Sequence, residues 1–488
     1  MKTTIFTFLC MFFFVVSISA KTWTVRTTAG TGVDFTSILE AMASPNVLDG
    51  DILDVMGDFA TEQITLSKEI TIKGNGTDNT IIRSAGTNRI FVSYANEKKF
   101  TISNLTIQGG AQSNEPGAGI FVYLAPECTF DNVHFNEMST SSNGGAILIQ
   151  NTLKFTIKNC EFTSNKAGAV AGCIYLTNLG GTGSIENCTF EGNGAVNNGW
   201  GDAIMLDNGS AVGDALLIQN CTFFNNGKDN VGLGGVIAIN YGNIKLSIVN
   251  NTFASNKGND NVGDFFLIPN SGWPNELNYI GNLFYESRGI IIPNDYPKPA
   301  FVAYNLSTNS INVQEGIPNI NFDPTINVGG CIAGTDLKVE LNGELPYLKD
   351  NGGPVRTIKL LGLTFNDNLA IEFIAEPLGA KLDARGFTRK ATYQDCGAYE
   401  VGAINTTGTI DLQSNKLNLG YNASTKTVTF SEVVNGKVQV FNSLGQIQKI
   451  PGNLNSNSLD LSSLTHGMYI IRLTKKDKSA KTAKIIVY

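Results

Sequence analysis

Six octapeptides decide the architecture: FTISNLTI (100–107), CTFDNVHF (128–135), FTIKNCEF (155–162), GSIENCTF (183–190), LLIQNCTF (216–223) and LSIVNNTF (246–253). They align on Asn104, Asn132, Asn159, Asn187, Asn220 and Asn250, at spacings of 28, 27, 28, 33 and 30 residues. Between them fall GAGIFV, GGAILI, AGCIYL, GDAIML, GGVIAI and GDFFLI, which align on Ile120, Ile147, Ile174, Ile204, Ile237 and Phe266. A period near 30 made of short strands and Gly/Asn turns, with no helical pattern between, predicts an all-β chain folded as a right-handed parallel β-helix. Each coil there buries its apolar face only by stacking on its neighbours. A propeller blade would need four antiparallel strands and a longer repeat.

Alternation along a strand has period two, so faces can be assigned. Cys160, Cys188 and Cys221 point inward with Phe162, Phe190 and Phe223, giving a thiol column and a Phe column that includes Phe135 and Phe253. The thiols pack as small apolar groups, since in-register neighbours ~4.8 Å apart miss disulfide geometry. The Asn column (Asn132, Asn159, Asn187, Asn220, Asn250) is expected to bond the turn backbone of adjacent coils. With the aligned Ile residues inward, Phe121, Leu148, Tyr175, Met205, Ala238 and Leu267 face outward, an apolar stripe of roughly 25 Å. An open stripe of that size would mark a partner or ligand site, with Phe121, Tyr123, Tyr175, Trp200 and Met205 as platforms for sugar rings. The alternative is a cover formed by the segment from about 294 to 375, and covering is the favoured expectation.

The repeats resemble those of polymorphic outer-membrane adhesins, whose signatures GGA(I/L/V) and FxxN appear at Gly144–Ile147 and, more loosely, Gly234–Ile237, and at Phe162/Asn165, Phe190/Asn193, Phe223/Asn226 and Phe253/Asn256. Upstream, DFTSILEAM (34–42) reads as an amphipathic helix plugging the open end, with DGDILDVMGDF and KEITIKGNG as first strands. This order resembles the start of pectate-lyase-like β-helix proteins. Downstream, LKDNGGPVRTIKL (348–360) and LDARGFTRKATYQDCGAYE (382–400) resemble the closing signatures of the choice-of-anchor Q family of exported bacterial β-helix proteins. In that motif Cys396 stands where a small or aliphatic residue is expected. With Cys331 in the same module it forms the one disulfide pair to consider in an exported chain.

The chain has 488 residues with 16% charged and 42% apolar side chains, which excludes disorder. Residues 1–20 read as a secretory signal: Lys2, an apolar run to Val16, then a small-residue exit to Ala20. The net charge is −7, and −8 without Lys2, with no basic cluster, so nucleic acid is not an expected partner. No later run reaches the ~18 apolar residues of a membrane span. The solenoid is assigned to 21–300, its closing part to 301–400, and a linker to 401–412.

Residues 413–488 alternate as strands with a turn at Asn435-Gly436 and give a small β-sandwich. Val438–Gly445, Leu461–Tyr469 and the basic, apolar terminus resemble the C-terminal sorting domain of type IX secretion cargo from Bacteroidetes. The resemblance implies passage through the type IX machinery, removal of the tail, and attachment to surface lipopolysaccharide or release.

Chemistry on the surface is sparse in sequence. His466 lies in the tail, and His134 faces outward beside Glu161, which should favour the imidazolium. Asp202 and Asp264 occupy one turn position two coils apart, and Asp229-Asn230-Val231-Gly232 repeats as Asp260-Asn261-Val262-Gly263. Such oxygens could hold calcium, the one cofactor the pattern admits, although Asp and Asn also favour turns for backbone reasons alone. Three functions follow: a glycan-binding or adhesion module for a glycan or host surface; a calcium-dependent polysaccharide lyase using Asp229, Asp260 and Asp264 with Lys228 or Arg288 as base; and a structural surface-layer component. The first is the expected one.

Overall fold

The computed structural model describes residues 20–487 except 95–97, 110–113, 198, 209–213, 228–234, 258–263, 269–273, 288–289, 292–299, 309–336, 375–379, 392, 404–418, 423–425, 443–446, 449–452, 465–466 and 476–479. It divides into two compact units, Met1–Ile404 and Asn405–Tyr488.

The first unit is a right-handed parallel β-helix whose coils each contribute three strands. In one coil these are Ile147–Gln150, Lys154–Lys158 and Glu161–Thr163. The first strands stack into a nine-stranded parallel sheet and the other two into an 18-stranded one. A short third ladder joins Ser139–Thr140, Lys166–Ala167 and Gly194–Ala195. The GGA signature has a steric reason: a Cβ on Gly145 would lie 2.0 Å from the carbonyl oxygen of Gly172 on the next coil. Only glycine lets the backbones stack there.

Inside, identical side chains superpose. The Phe column runs through Phe135, Phe162, Phe190, Phe223, Phe253 and Phe284, with ring centroids 4.7–4.9 Å apart and planes within 9°. The thiols of Cys160, Cys188 and Cys221 are buried as expected, and each donates to the carbonyl two residues back at 3.1–3.3 Å. Burial pushes the Cys160 and Cys188 thiols well above their ordinary range, so they stay protonated.

The asparagines divide the work differently from the expectation. Asn104, Asn132, Asn159, Asn187, Asn220 and Asn250 all sit at φ 54–56°, the left-handed region that asparagine tolerates. In three of the first four the amide runs to a side chain of the preceding coil: Asn132 Nδ2 donates to Asn104 Oδ1 at 2.9 Å, Asn159 Nδ2 to Asp131 Oδ1 at 2.8 Å and Asn187 Nδ2 to Asn159 Oδ1 at 3.4 Å. The bonds to turn backbone are made by the FxxN asparagines. Asn193 Nδ2 donates to the Phe162 carbonyl at 2.9 Å, and Asn193 Oδ1 accepts from the Asn165 N–H at 2.9 Å. This second ladder, Asn165–Asn193–Asn226–Asn256, is fully enclosed.

The plug helix is Ile38–Ala43, shorter than expected, with Ser37 as N-cap accepting from the Glu40 N–H, and it buries Ile38, Ala41 and Met42. Asp34 instead bonds Thr24. The first strand is Thr22–Arg26, upstream of the two strands expected, and it pairs in parallel with Asp51–Thr61.

Residues 337–403 leave the coil pattern and fold back on the solenoid. Among the described residues of this segment none packs on the Met205–Ala238 part of the apolar stripe; residues 292–299 and 309–336 of the expected cover lie outside the described residues. The segment lies against the third strands, where Leu337, Val339, Ile358, Leu360, Ile371 and Cys396 enclose Phe224, Ala254, Leu283 and Leu306. Arg356 pins them by pairing with Glu161 at 2.9 Å and Glu191 at 2.8 Å. Cys396 Sγ meets the carbonyls of Asn282 and Tyr304, both at 3.2 Å; Cys331, and with it the disulfide pairing, lies outside the described residues.

The second unit forms one six-stranded antiparallel sheet. No turn occurs at Asn435-Gly436: the strand Thr427–Asn442 runs through both, pairing Asn435 with Asn455, and a register shift between Thr429 and Val434 absorbs the irregularity. An Asn-Gly step makes a hairpin only when the flanking segments pair with each other, and here both pair with other strands.

Candidate ligand-binding face

The first strands of seven coils, Phe91–Tyr94 to Phe265–Leu267, present two outward rows. The inner row is Val92, Phe121, Leu148, Tyr175, Met205 and Ala238, with Phe266 next in the backbone register. The last coil is one residue off the expected register: Phe265 pairs with Ile237 and Phe266 with Ala238, while Leu267 is buried. In GDFFLI either phenylalanine matches the repeat, and pairing chose the first.

Val92, Leu148, Met205 and Ala238 of the inner row are buried, and turns of the same coils cover the last two. Met205 and Ala238 pack with Ala171, Val170, Tyr175, Trp200 and Ile268. Met205 is 3% exposed and Leu148 5%, so Met205 builds the floor of the face, whereas Trp200 is half-buried against it. Phe121 is half-buried and anchors an aromatic cluster: Tyr94 meets it edge-on with centroids at 5.8 Å, and Tyr123 stacks on it at 6.1 Å. The Arg89 guanidinium lies 4.9 Å from the centroid of the Phe121 ring and pairs with Glu115.

The outer row remains accessible along its length: Tyr94, Tyr123, Gln150, Thr177, Asp207 and Asn240, in continuous register. Tyr94 is 49% exposed. The Tyr175 hydroxyl donates to Asp207 Oδ2 at 2.9 Å, and Asn240 Nδ2 donates to Asp207 Oδ1 at 3.2 Å. Burial and the Asp207 charge hold the Tyr175 phenol above its ordinary range, so it stays a donor. The face thus joins an aromatic platform to a file of amide, hydroxyl and carboxylate groups. Extending the repeat one coil upstream, to FVSY, would have found Tyr94. Asp207 and Asn240 carry no signal beyond their strand positions.

The other candidates fare differently. Asp229, Asp260, Lys228, Arg288 and His466 lie outside the described residues. Asp202 and Asp264 do not share a turn position: Asp202 corresponds to Gly235 and Asp264 to Val236. Both are buried; Asp202 Oδ1 accepts from the Ala195 N–H at 3.3 Å and Asp264 Oδ1 from the Ser287 hydroxyl at 3.4 Å. Among the described residues no group of three or more His, Cys, Asp or Glu is placed to hold a metal ion. His134 reverses the expectation of a charged imidazole. Burial lowers its pKa, the Arg356 charge adds to this, and the opposing pull of Glu161 is outweighed. Its Nε2 lies 3.1 Å from Thr163 Oγ1.

The stacked coils define a parallel β-solenoid. Residues 88–284 match the model of the right-handed β-helix region, and residues 413–488 match that of the secretion system C-terminal sorting domain. The sorting domain marks the chain for export by the type IX machinery, to the cell surface or the medium. Among the described residues no helix is long and apolar enough to cross a membrane. No curated protein and no solved structure matches the chain.

Proposed function

We propose that this exported β-helix protein is a glycan-binding or adhesion module that engages glycan on a cell or host surface through the outward face of its first strands. The observation that carries this reading is the unbroken accessible row from Tyr94 to Asn240. Tyr94 and Tyr123 supply flat apolar surface with a polar tip at little conformational cost, and Gln150, Thr177, Asp207 and Asn240 supply the directional donors and acceptors that hydroxyl-rich ligands need. Retention at the producing cell, through lipopolysaccharide attached once the tail is removed, would present this face outward.

The full chain, passed over immobilised neutral and acidic polysaccharides, is expected to be retained on at least one. Tyr94→Ala with Tyr123→Ala should weaken that retention about tenfold or more with an unchanged thermal melt. Retention on none of the polymers, or retention indifferent to both substitutions, would overturn the reading. Release of unsaturated sugar product in the presence of calcium would replace it with lyase activity.

A further inference from the structure

Of the fourteen large apolar side chains that stand exposed on the described residues, eight lie between Leu341 and Tyr393, so the closing segment is the apolar part of the exterior. The extreme case is one turn. Leu361, Leu363 and Phe365 are 41%, 76% and 44% exposed, three apolar groups at alternate positions over five residues.

This turn is held rigidly. Asp367 Oδ2 accepts from the N–H of Leu363 at 3.1 Å, the N–H of Thr364 at 3.0 Å and the Thr364 hydroxyl at 3.0 Å. Asn368 Nδ2 donates to the carbonyls of Leu361 at 2.8 Å and Lys338 at 2.7 Å, and Lys338 Nζ donates to the Asp367 carbonyl at 3.0 Å. Gly362 sits at φ +106°, and a Cβ there would lie 2.8 Å from the Asp367 Cβ. A connection that had only to close would place polar residues at its tip. Here a polar frame displays leucine and phenylalanine to solvent.

Two lysines flank the turn against one carboxylate, Asp367, whose pKa the donors of the turn hold down so that it stays ionised; Glu340 is paired with Lys349. Lys338 is exposed beside Leu361, whose N–H it accepts through its carbonyl, and Lys359 lies two residues before it. Among the described residues neither lysine forms an ion pair.

We propose that the Leu361–Phe365 turn is a lipid-insertion loop. Leu361, Leu363 and Phe365 enter the boundary between headgroups and acyl chains of a membrane, and Lys338 and Lys359 meet its anionic headgroups. Side chains projecting from a tight convex turn need a partner that yields around them, which a bilayer does without matched shape. The preset turn avoids the ordering cost that a loose loop would incur on binding. The sorting domain brings the chain to the compartment where such a surface is met. The inference is independent of the glycan reading.

The test sediments the full chain with vesicles of phosphatidylcholine alone or mixed with phosphatidylglycerol. Wild-type protein is expected in the pellet with the mixed vesicles, less so with phosphatidylcholine or high salt. Leu363→Ser with Phe365→Ser should weaken binding by roughly tenfold or more while the thermal melt stays unchanged. The Tyr94→Ala, Tyr123→Ala variant should sediment like wild type. A Leu363→Trp variant should show emission shifted to the blue when vesicles are added. Wild-type protein left in the supernatant with every vesicle, serine variants that pellet equally, or an emission of the Leu363→Trp variant that does not move would each overturn the proposal. Concentration-dependent dimers abolished by the serine substitutions would assign the loop to a second copy of the chain and overturn it too.

Discussion

Arg389 and Asn220 are 169 residues apart in the chain, and Arg389 Nη2 donates to Asn220 Oδ1 at 3.0 Å. Asn220 belongs to the outer asparagine ladder and donates to Asn187 Oδ1 at 3.3 Å, so the closing segment joins that ladder through a guanidinium. Arg389 is fully buried, and its remaining N–H groups go to the carbonyls of Leu382, Asp395 and Gly397 and to Glu400 Oε2. All five donors are used, which lysine could not reproduce.

Replacing Arg389 by Met should therefore strand the buried Glu400 carboxylate and cost about 3–5 kcal/mol. Denaturant unfolding of the full chain would show it as an early loss of the closing segment. An unchanged midpoint would mean that the pair contributes nothing net.

Asp395 carries the pH dependence. Burial, then the adjacent Glu400 charge, push its carboxyl up to about 7, although it accepts from the N–H groups of Glu372 and Val401 and faces Lys390. The folded state holds a proton there that the unfolded chain releases near pH 4, so this contribution is fully present below about pH 4 and is lost as pH rises from there through about 7. His134, held below its ordinary range, works in the opposite sense. Melts between about pH 5 and pH 8 should show a decline with rising pH that Asp395→Asn flattens.

The two asparagine ladders should respond differently. Asn159 is half-buried at φ 56°, a conformation glycine adopts freely, so Asn159→Gly should cost about 1 kcal/mol or less. Asn193→Ala removes a buried amide and leaves the Phe162 carbonyl and the Asn165 N–H unpaired, at about 1–3 kcal/mol each. Equal destabilisation in paired unfolding curves would contradict this division.

Phe190 lies 4.7 Å from Phe162 and 4.8 Å from Phe223, centroid to centroid, in the middle of the stack. Phe190→Ala should cost about 3–5 kcal/mol, because neighbours fixed by strand pairing on both sides cannot collapse into the space. Calorimetry of the variant against wild type measures it.

The repeat, the inward Phe and Cys columns and the outward stripe were all legible in one dimension. A solenoid stacks each coil on its sequence neighbour, so period and alternation translate directly into columns. Where two residues satisfied the period equally, as Phe265 and Phe266 do, only strand pairing could choose. The candidate site was half legible: Phe121, Tyr123 and Tyr175 stand where alternation put them, but whether each is open depends on turns crossing above the strand. Met205 is covered because Ala171, Val170, Trp200 and Ile268 pack around it.

Coil architecture and the identity of the stacked columns thus follow from local order, since each depends on contacts about one repeat away. The path of residues 337–403 does not. Arg356 finds Glu161 and Glu191, and Arg389 finds Asn220, across more than 160 residues. Such pairings arise only once the solenoid exists as a surface on which charges from distant coils stand side by side. The same surface decides which side chains meet solvent, because exposure belongs to the packed exterior and no single repeat encodes it.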